Sequence, residues 1–226
     1  MGEAVRLAGK RLGIPRDEIF VTTKLWNSDH GYENARGAFE KSRRNLGLDY
    51  VDLYLIHWPV EELRGESWKA LERIHSEEKA RSIGVSNYMP WHLDELIGTA
   101  DSEGAATIEP VVDQVEFSPF LYQRDLLDHC RKRKIQLEAY SPLTKGRLLA
   151  QPGLERIAAK YARTPAQILI RWVLQKQVVV IPKSANPSRI RENAEVFDFS
   201  ISDYDMNELD DLNESIRTSW DPSTVP

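Results

Sequence analysis

Val51–His57 reads VDLYLIH, and this stretch decides the fold. In a strand, successive side chains point to opposite faces. Val51, Leu53, Leu55 and His57 would share one face; Asp52, Tyr54 and Ile56 would share the other. A strand apolar on both faces belongs in a parallel sheet covered on both sides. Its flanks agree. Upstream, a strand is predicted over Ile19–Leu25 and a helix over Tyr32–Leu46. Downstream, a helix is predicted over Ser67–Glu78 and a strand over Arg81–Val85. Strands alternating with helices imply right-handed crossovers and an α/β fold.

The alternation continues to both ends. Further strands are predicted over Val111–Phe117, Ile135–Tyr140 and Val178–Ile181. Further helices are predicted over Gly2–Leu12, Pro90–Ile97, Asp125–Lys134, Leu154–Tyr161, Pro165–Gln175, Pro187–Val196 and Asp203–Ser215, before a loose tail. Pro90, Pro165 and Pro187 suit first helical turns, where a missing N–H goes unneeded. No linker, low-complexity segment or close repeat interrupts the pattern, so residues 1–226 read as a single domain. Six strands suffice for an open doubly wound sheet, whereas a closed TIM-type (β/α)8 barrel needs eight in about 250 residues.

The 226 residues carry 30 Lys plus Arg against 35 Asp plus Glu, a net charge of −5. That balance speaks against nucleic acid as a partner, since a binder would show a basic excess. The apolar fraction of 41% supports a sizeable core. A single cysteine, Cys130, allows no internal disulfide and points to a reducing, cytoplasmic setting. No apolar run is long enough to span a membrane, and Met1–Gly13 lacks a signal-peptide core.

Chemically capable residues cluster where each strand ends: Lys24, His57, Asn87, Glu116, Tyr140 with Ser141, and Lys183 with Ser184. In β/α barrels this is the active-site face, so the polar residues favour the barrel over the open sheet. A strand-end histidine can also be purely structural; Trp58 and Pro59 beside His57 suggest a shaped pocket. Lys24 would be either a buried, paired lysine or one reaching solvent at the rim. In IPKSANPSRIREN, Lys183, Ser184 and Arg189 surround a helix start, which reads as an anion site by charge and dipole, or else as a solvated basic turn. His30, His75, His92 and His129 read as surface residues. Cys130, Trp68 and Trp172 read as packing, and Arg131–Lys134 as a solvated helix end. No GxGxxG, P-loop, HExxH or CxxC occurs, and no metal site is expected.

The segments VTTKLWN, LDYVDLYLIHWP, RSIGVSNY, DQVEFSP, EAYSPL and IPKSANPSRIRENAEVFDF, in this order and spacing, resemble those of the aldo-keto reductases, in particular the compact microbial and plant members. The resemblance covers essentially the whole chain. It implies a (β/α)8 barrel, a monomer, binding NADPH across its C-terminal mouth and reducing a small-molecule aldehyde or ketone, with no partner beyond that substrate. By motif, Lys24 and His57 match catalytic residues. Ser86, Asn87 and Gln114 match the residues holding the nicotinamide carboxamide, and Tyr140 the ring stacked on it. Ser141 and Leu143 match pyrophosphate-side contacts. Lys183, Ser184 and Arg189 match the 2′-phosphate site, with Glu192 and Asn193 near the adenine. Trp26, His57 and Trp58 match the substrate pocket.

The family's catalytic set also includes an Asp and a Tyr from the first two βα units, and no residue of this sequence matches either. The resemblance therefore implies a barrel missing its first two strands. Ile19–Leu25 and Val178–Ile181 would then carry exposed edges, Lys24 would lose its carboxylate partner, and activity would be impaired. Two rival readings accompany this one. The first is a non-enzymatic NADPH- or partner-binding relative; the second is an unrelated barrel enzyme using Lys24 as a Schiff-base amine.

Overall fold

The structure is a computed structural model, and it describes residues 1–98 and 106–224. The chain divides into two compact units: Met1–Asp113 with Pro222–Pro226, and Gln114–Asp221. It is an α/β fold of parallel strands.

The first unit holds α1 (Gly2–Leu12), β1 (Thr22–Leu25), α2 (Tyr32–Leu46), β2 (Val51–Ile56), α3 (Arg64–Ser76), β3 (Ala80–Ser86) and α4 (Pro90–Ile97). The strands lie in the order β1-β2-β3, in parallel register. All six residues of β2 are buried, as its doubly apolar sequence requires. Tyr54 points toward the helices: its ring meets Phe39 of α2 edge to face at 4.8 Å. Gly84 of β3 is needed for close approach, because a Cβ there would lie 2.5 Å from the Val112 carbonyl oxygen. On the Tyr54 face, Asp52 accepts from Arg16 at 2.9 Å and from the Val21 amide at 2.9 Å. Trp68 is buried, as expected of packing.

The second unit holds most of β4 (Val112–Glu116), then α5 (Arg124–Lys132), β5 (Gln136–Tyr140), α6 (Pro152–Lys160), α7 (Pro165–Gln175), β6 (Val179–Val180), α8 (Pro187–Ala194) and α9 (Asp203–Asp210). Its strands follow the order β4-β5-β6. Phe117 stacks on Trp172 at 5.2 Å in its core, and Cys130 is fully buried. Pro90, Pro165 and Pro187 each open a helix, and so does Pro152.

Several expectations change. β1 is four residues long and only half-buried over Thr22–Lys24, with Phe20 exposed before it. β6 shrinks to two residues, with Val179 and Ile181 both exposed. Among the described residues β1 pairs with β2 alone and β6 with β5 alone, and the apolar sequence overstates the burial of both. His30 and His92 are buried, not on the surface. His30 Nδ1 lies 3.1 Å from the Ser67 hydroxyl, and His92 Nδ1 accepts from the Met89 amide at 3.0 Å, so each ring serves the start of a helix. The tail is tethered: the Ile216 amide donates to the Phe120 carbonyl at 2.9 Å, and Thr218 and Ser219 both bind Glu116. No described helix is long and apolar enough to cross a membrane.

Candidate active site

In the first unit, register brings the polar strand ends together. Lys24 pairs with Leu55, Leu25 with Ile56, and Ile56 with Val85. One step further places Trp26, His57 and Ser86 side by side on the face that carries Lys24. The Trp26 and His57 rings meet edge to face at 5.0 Å, and Trp58 stacks beside His57 at 6.2 Å. Trp58 is buried while Trp26 is half in solvent, so the aromatic wall has a closed side and an open side.

Burial pushes the His57 pKa down to about 4, helped by the nearby Lys24 cation. The imidazole is therefore neutral at pH 7 and available for a hydrogen bond to a carbonyl oxygen. The expectation of a buried Lys24 is corrected in one respect, its burial. Lys24 is half-buried, has interactions, and its charge is felt by His57.

Asn87 follows β3 in the left-handed region, at φ 64°. Asn tolerates this conformation better than most residues. Its Nδ2 donates to the His57 backbone carbonyl at 3.0 Å and contacts the Ser86 hydroxyl at 3.1 Å.

In the second unit a cavity of about 730 Å³ is lined by Ser141, Leu143, Lys183, Ser184, Arg189, Glu192 and Asn193, among others. Seven residues spread from Ser141 to Asn193 thus meet in one place. The turn after β5 shapes one wall. Ser141, Thr144 and Lys145 take positive φ of 49°, 50° and 54°, and the Thr144 amide donates back to Ser141. Glu192 is held by the Thr164 hydroxyl at 2.6 Å. The anion reading needs one correction. Asn186 caps α8 and already accepts from the Ser188 and Arg189 amides, so the backbone at that helix start is occupied. An anion would be met by the side chains of Lys183, Ser184 and Arg189.

Other expected residues stand apart. Tyr140 ends β5 and is half-buried, but it is not part of this cavity lining. Gln114 donates to Glu138 within the sheet. Glu116, a strand-end acid, is taken up by Thr218 and Ser219. The sequence reading missed Lys145 and Thr164, both in the cavity wall. Lys145 had a readable signal, a cation five residues beyond Tyr140 in a polar turn; the positive φ that aims it had none.

A sequence model described as "Aldo/keto reductase family" fits residues 1–214, and the chain belongs to that family. It is 47% identical over 223 residues to a glyoxal reductase of Bacillus subtilis, covering 99% of this chain and 79% of that protein. Among solved structures it resembles MGS-M4, an aldo-keto reductase enzyme from a deep-sea metagenome library of the Medee basin. That match has a TM-score of 0.92 and 42% identity, and covers 100% of this chain and 82% of the other. A Bombyx mori aldo-keto reductase in complex with NADP matches with a TM-score of 0.86 at 33% identity, over 96% of this chain and 75% of that one.

Proposed function

We propose that the protein is an NADPH-dependent carbonyl reductase acting on small aldehydes or ketones. The observation that carries this is the cavity in which Lys183, Ser184 and Arg189 converge with Glu192, Asn193, Ser141 and Leu143. Two cations and a hydroxyl in the same lining as the polar side chains of Glu192 and Asn193 suit a nucleotide bearing an extra phosphate. NADPH supplies a hydride when bound.

The chain's own residues would do the following. Lys183, Ser184 and Arg189 hold the 2′-phosphate, and Glu192 and Asn193 border the adenine. Ser141 and Leu143 flank the pyrophosphate. Ser86, Asn87 and Gln114 fix the nicotinamide carboxamide, and the Tyr140 ring backs it. His57, neutral at working pH, donates to the substrate oxygen and orients it. Lys24 adds positive charge beside that oxygen as it gains electron density. Trp26 and Trp58 wall the pocket.

We read β1–β6 as six strands of the family's (β/α)8 barrel, in one domain. The family's Asp and Tyr have no counterpart in residues 1–226. Tyr54 and Tyr88 are fully buried, and Tyr54 lies against Phe39, so neither can take the role. Reduction by residues 1–226 is accordingly slow, since losing a general acid costs on the order of 10²–10⁴-fold.

The test is a fluorescence titration of residues 1–226 with NADPH and NADH, beside an aldehyde-reduction assay. Tighter binding of NADPH with slow turnover is expected. No binding of either nucleotide would overturn the reading; ordinary turnover would mean that another residue supplies the proton.

A further inference from the structure

Asp113 lies in β4, and its side chain is fully buried. Its Oδ1 accepts from the Tyr88 amide at 3.4 Å, and its Oδ2 has no hydrogen-bond partner among the described residues. A carboxyl buried with so little compensation costs stability, and an apolar side chain of similar shape would pack there without that cost. What the apolar residue could not do is satisfy the Tyr88 N–H.

That N–H sits at a decisive place. Tyr88 directly follows Asn87, the left-handed residue whose Nδ2 reaches both the His57 carbonyl and the Ser86 hydroxyl. Releasing the Tyr88 amide would free this turn to relax toward a commoner backbone conformation. The ends of β2 and β3 would then lose their link through Asn87.

We propose that Asp113 is a positioning residue that holds the Tyr88 N–H, keeps Asn87 in its left-handed turn, and thereby sets Ser86 and Asn87 for the nicotinamide end of the cofactor. This rests on the cofactor reading above. Asp113 acts through the turn and touches neither cofactor nor substrate. Burial pushes its carboxyl toward the neutral form, whose shape and acceptor oxygen an asparagine reproduces.

The experiment titrates the wild type, Asp113→Asn and Asp113→Leu with NADPH and with 2′,5′-ADP, which carries the phosphate end but no nicotinamide. Asp113→Leu is expected to weaken NADPH binding about fivefold or more, the worth of one hydrogen bond. Binding of 2′,5′-ADP should stay unchanged in all three proteins, and Asp113→Asn should match the wild type. Three results overturn the proposal: unchanged NADPH binding in Asp113→Leu, equal losses for both ligands, or a loss in Asp113→Asn as large as in Asp113→Leu. If Asp113→Leu fails to fold, hydrogen exchange at the Tyr88 amide decides. Slow exchange in the wild type and Asp113→Asn supports the proposal, and fast exchange in the folded wild type overturns it. A wild type that binds neither ligand removes the cofactor reading itself, and this inference with it, before any variant is compared.

Discussion

Trp26 and His57 meet edge to face with ring centroids 5.0 Å apart, each directly following one of two neighbouring parallel strands. The contact shields one side of the imidazole from water and helps to keep it neutral. In the reading above His57 orients the carbonyl and does not hold the cofactor. His57→Ala is therefore expected to lower kcat/KM for an aldehyde about tenfold or more, the loss of a hydrogen bond to a group gaining charge, with the NADPH Kd unchanged. A large change in Kd with normal turnover would contradict this role.

Arg189 is exposed at the start of α8, beside Lys183 and Ser184. Arg189→Ala should weaken NADPH binding by about tenfold while leaving NADH nearly unaffected, as loss of a charge-assisted contact to one phosphate would. Equal losses for the two nucleotides in a fluorescence titration would remove the 2′-phosphate assignment. The NADPH affinity of the wild type should also fall with added salt, because the guanidinium is solvated.

Acid should loosen the fold through its histidines. Burial lowers the pKa of His30, His57 and His92 from 6.5 to about 4 in each case. Between those values the unfolded chain takes up protons that the folded chain does not, so stability present above pH 6.5 is lost as pH falls toward 4. Asp113, shifted upward by burial, opposes this with a single group. Melting temperature should drop by roughly 5 °C or more between pH 7 and pH 5. A flat profile across that window would show that the three rings are not held neutral.

Gly84 leaves no room for a side chain. The added methyl of Gly84→Ala would lie 2.5 Å from the Val112 carbonyl oxygen and 2.9 Å from a Leu55 methyl. The backbone atom cannot yield without moving a strand, so a loss of about 2 kcal/mol is expected in chemical denaturation. A variant as stable as the wild type would mean that β4 can shift at Val112.

Glu116 anchors the tail. It accepts from the Thr218 amide at 2.9 Å and the Ser219 amide at 3.1 Å, and it is buried. Glu116→Ala leaves these donors without their acceptor and should cost about 2 kcal/mol. Limited proteolysis should then cut near residues 216–220, where the wild type resists. Equal resistance in both proteins would show that the tail is held by other contacts.

Much of this protein was legible from local chemistry. The doubly apolar run Val51–Ile56 sufficed for a buried parallel strand, and alternation within it put Tyr54 toward the helices, because a strand's side-chain period is two whatever surrounds it. Proline placement marked helix starts because a missing N–H costs nothing there. Lys183, Ser184 and Arg189 were legible as candidates for an anion site, and the fold brings all three to one cavity. Burial was less legible. A histidine has no period of its own, so only packing could reveal that His30 and His92 are enclosed. That β1 and β6 are short and only partly buried depends on what packs around them, which their own residues do not encode. The cavity residues span Ser141 to Asn193, and only the fold closes that distance. The occupation of the α8 start by Asn186, the tether between Glu116 and Thr218, and the hold of Asp113 on Tyr88 are likewise contacts made in space. Sequence determines which groups are available and which face of an element they occupy. Tertiary structure decides which of them spend their hydrogen bonds on the protein itself and which remain for a ligand.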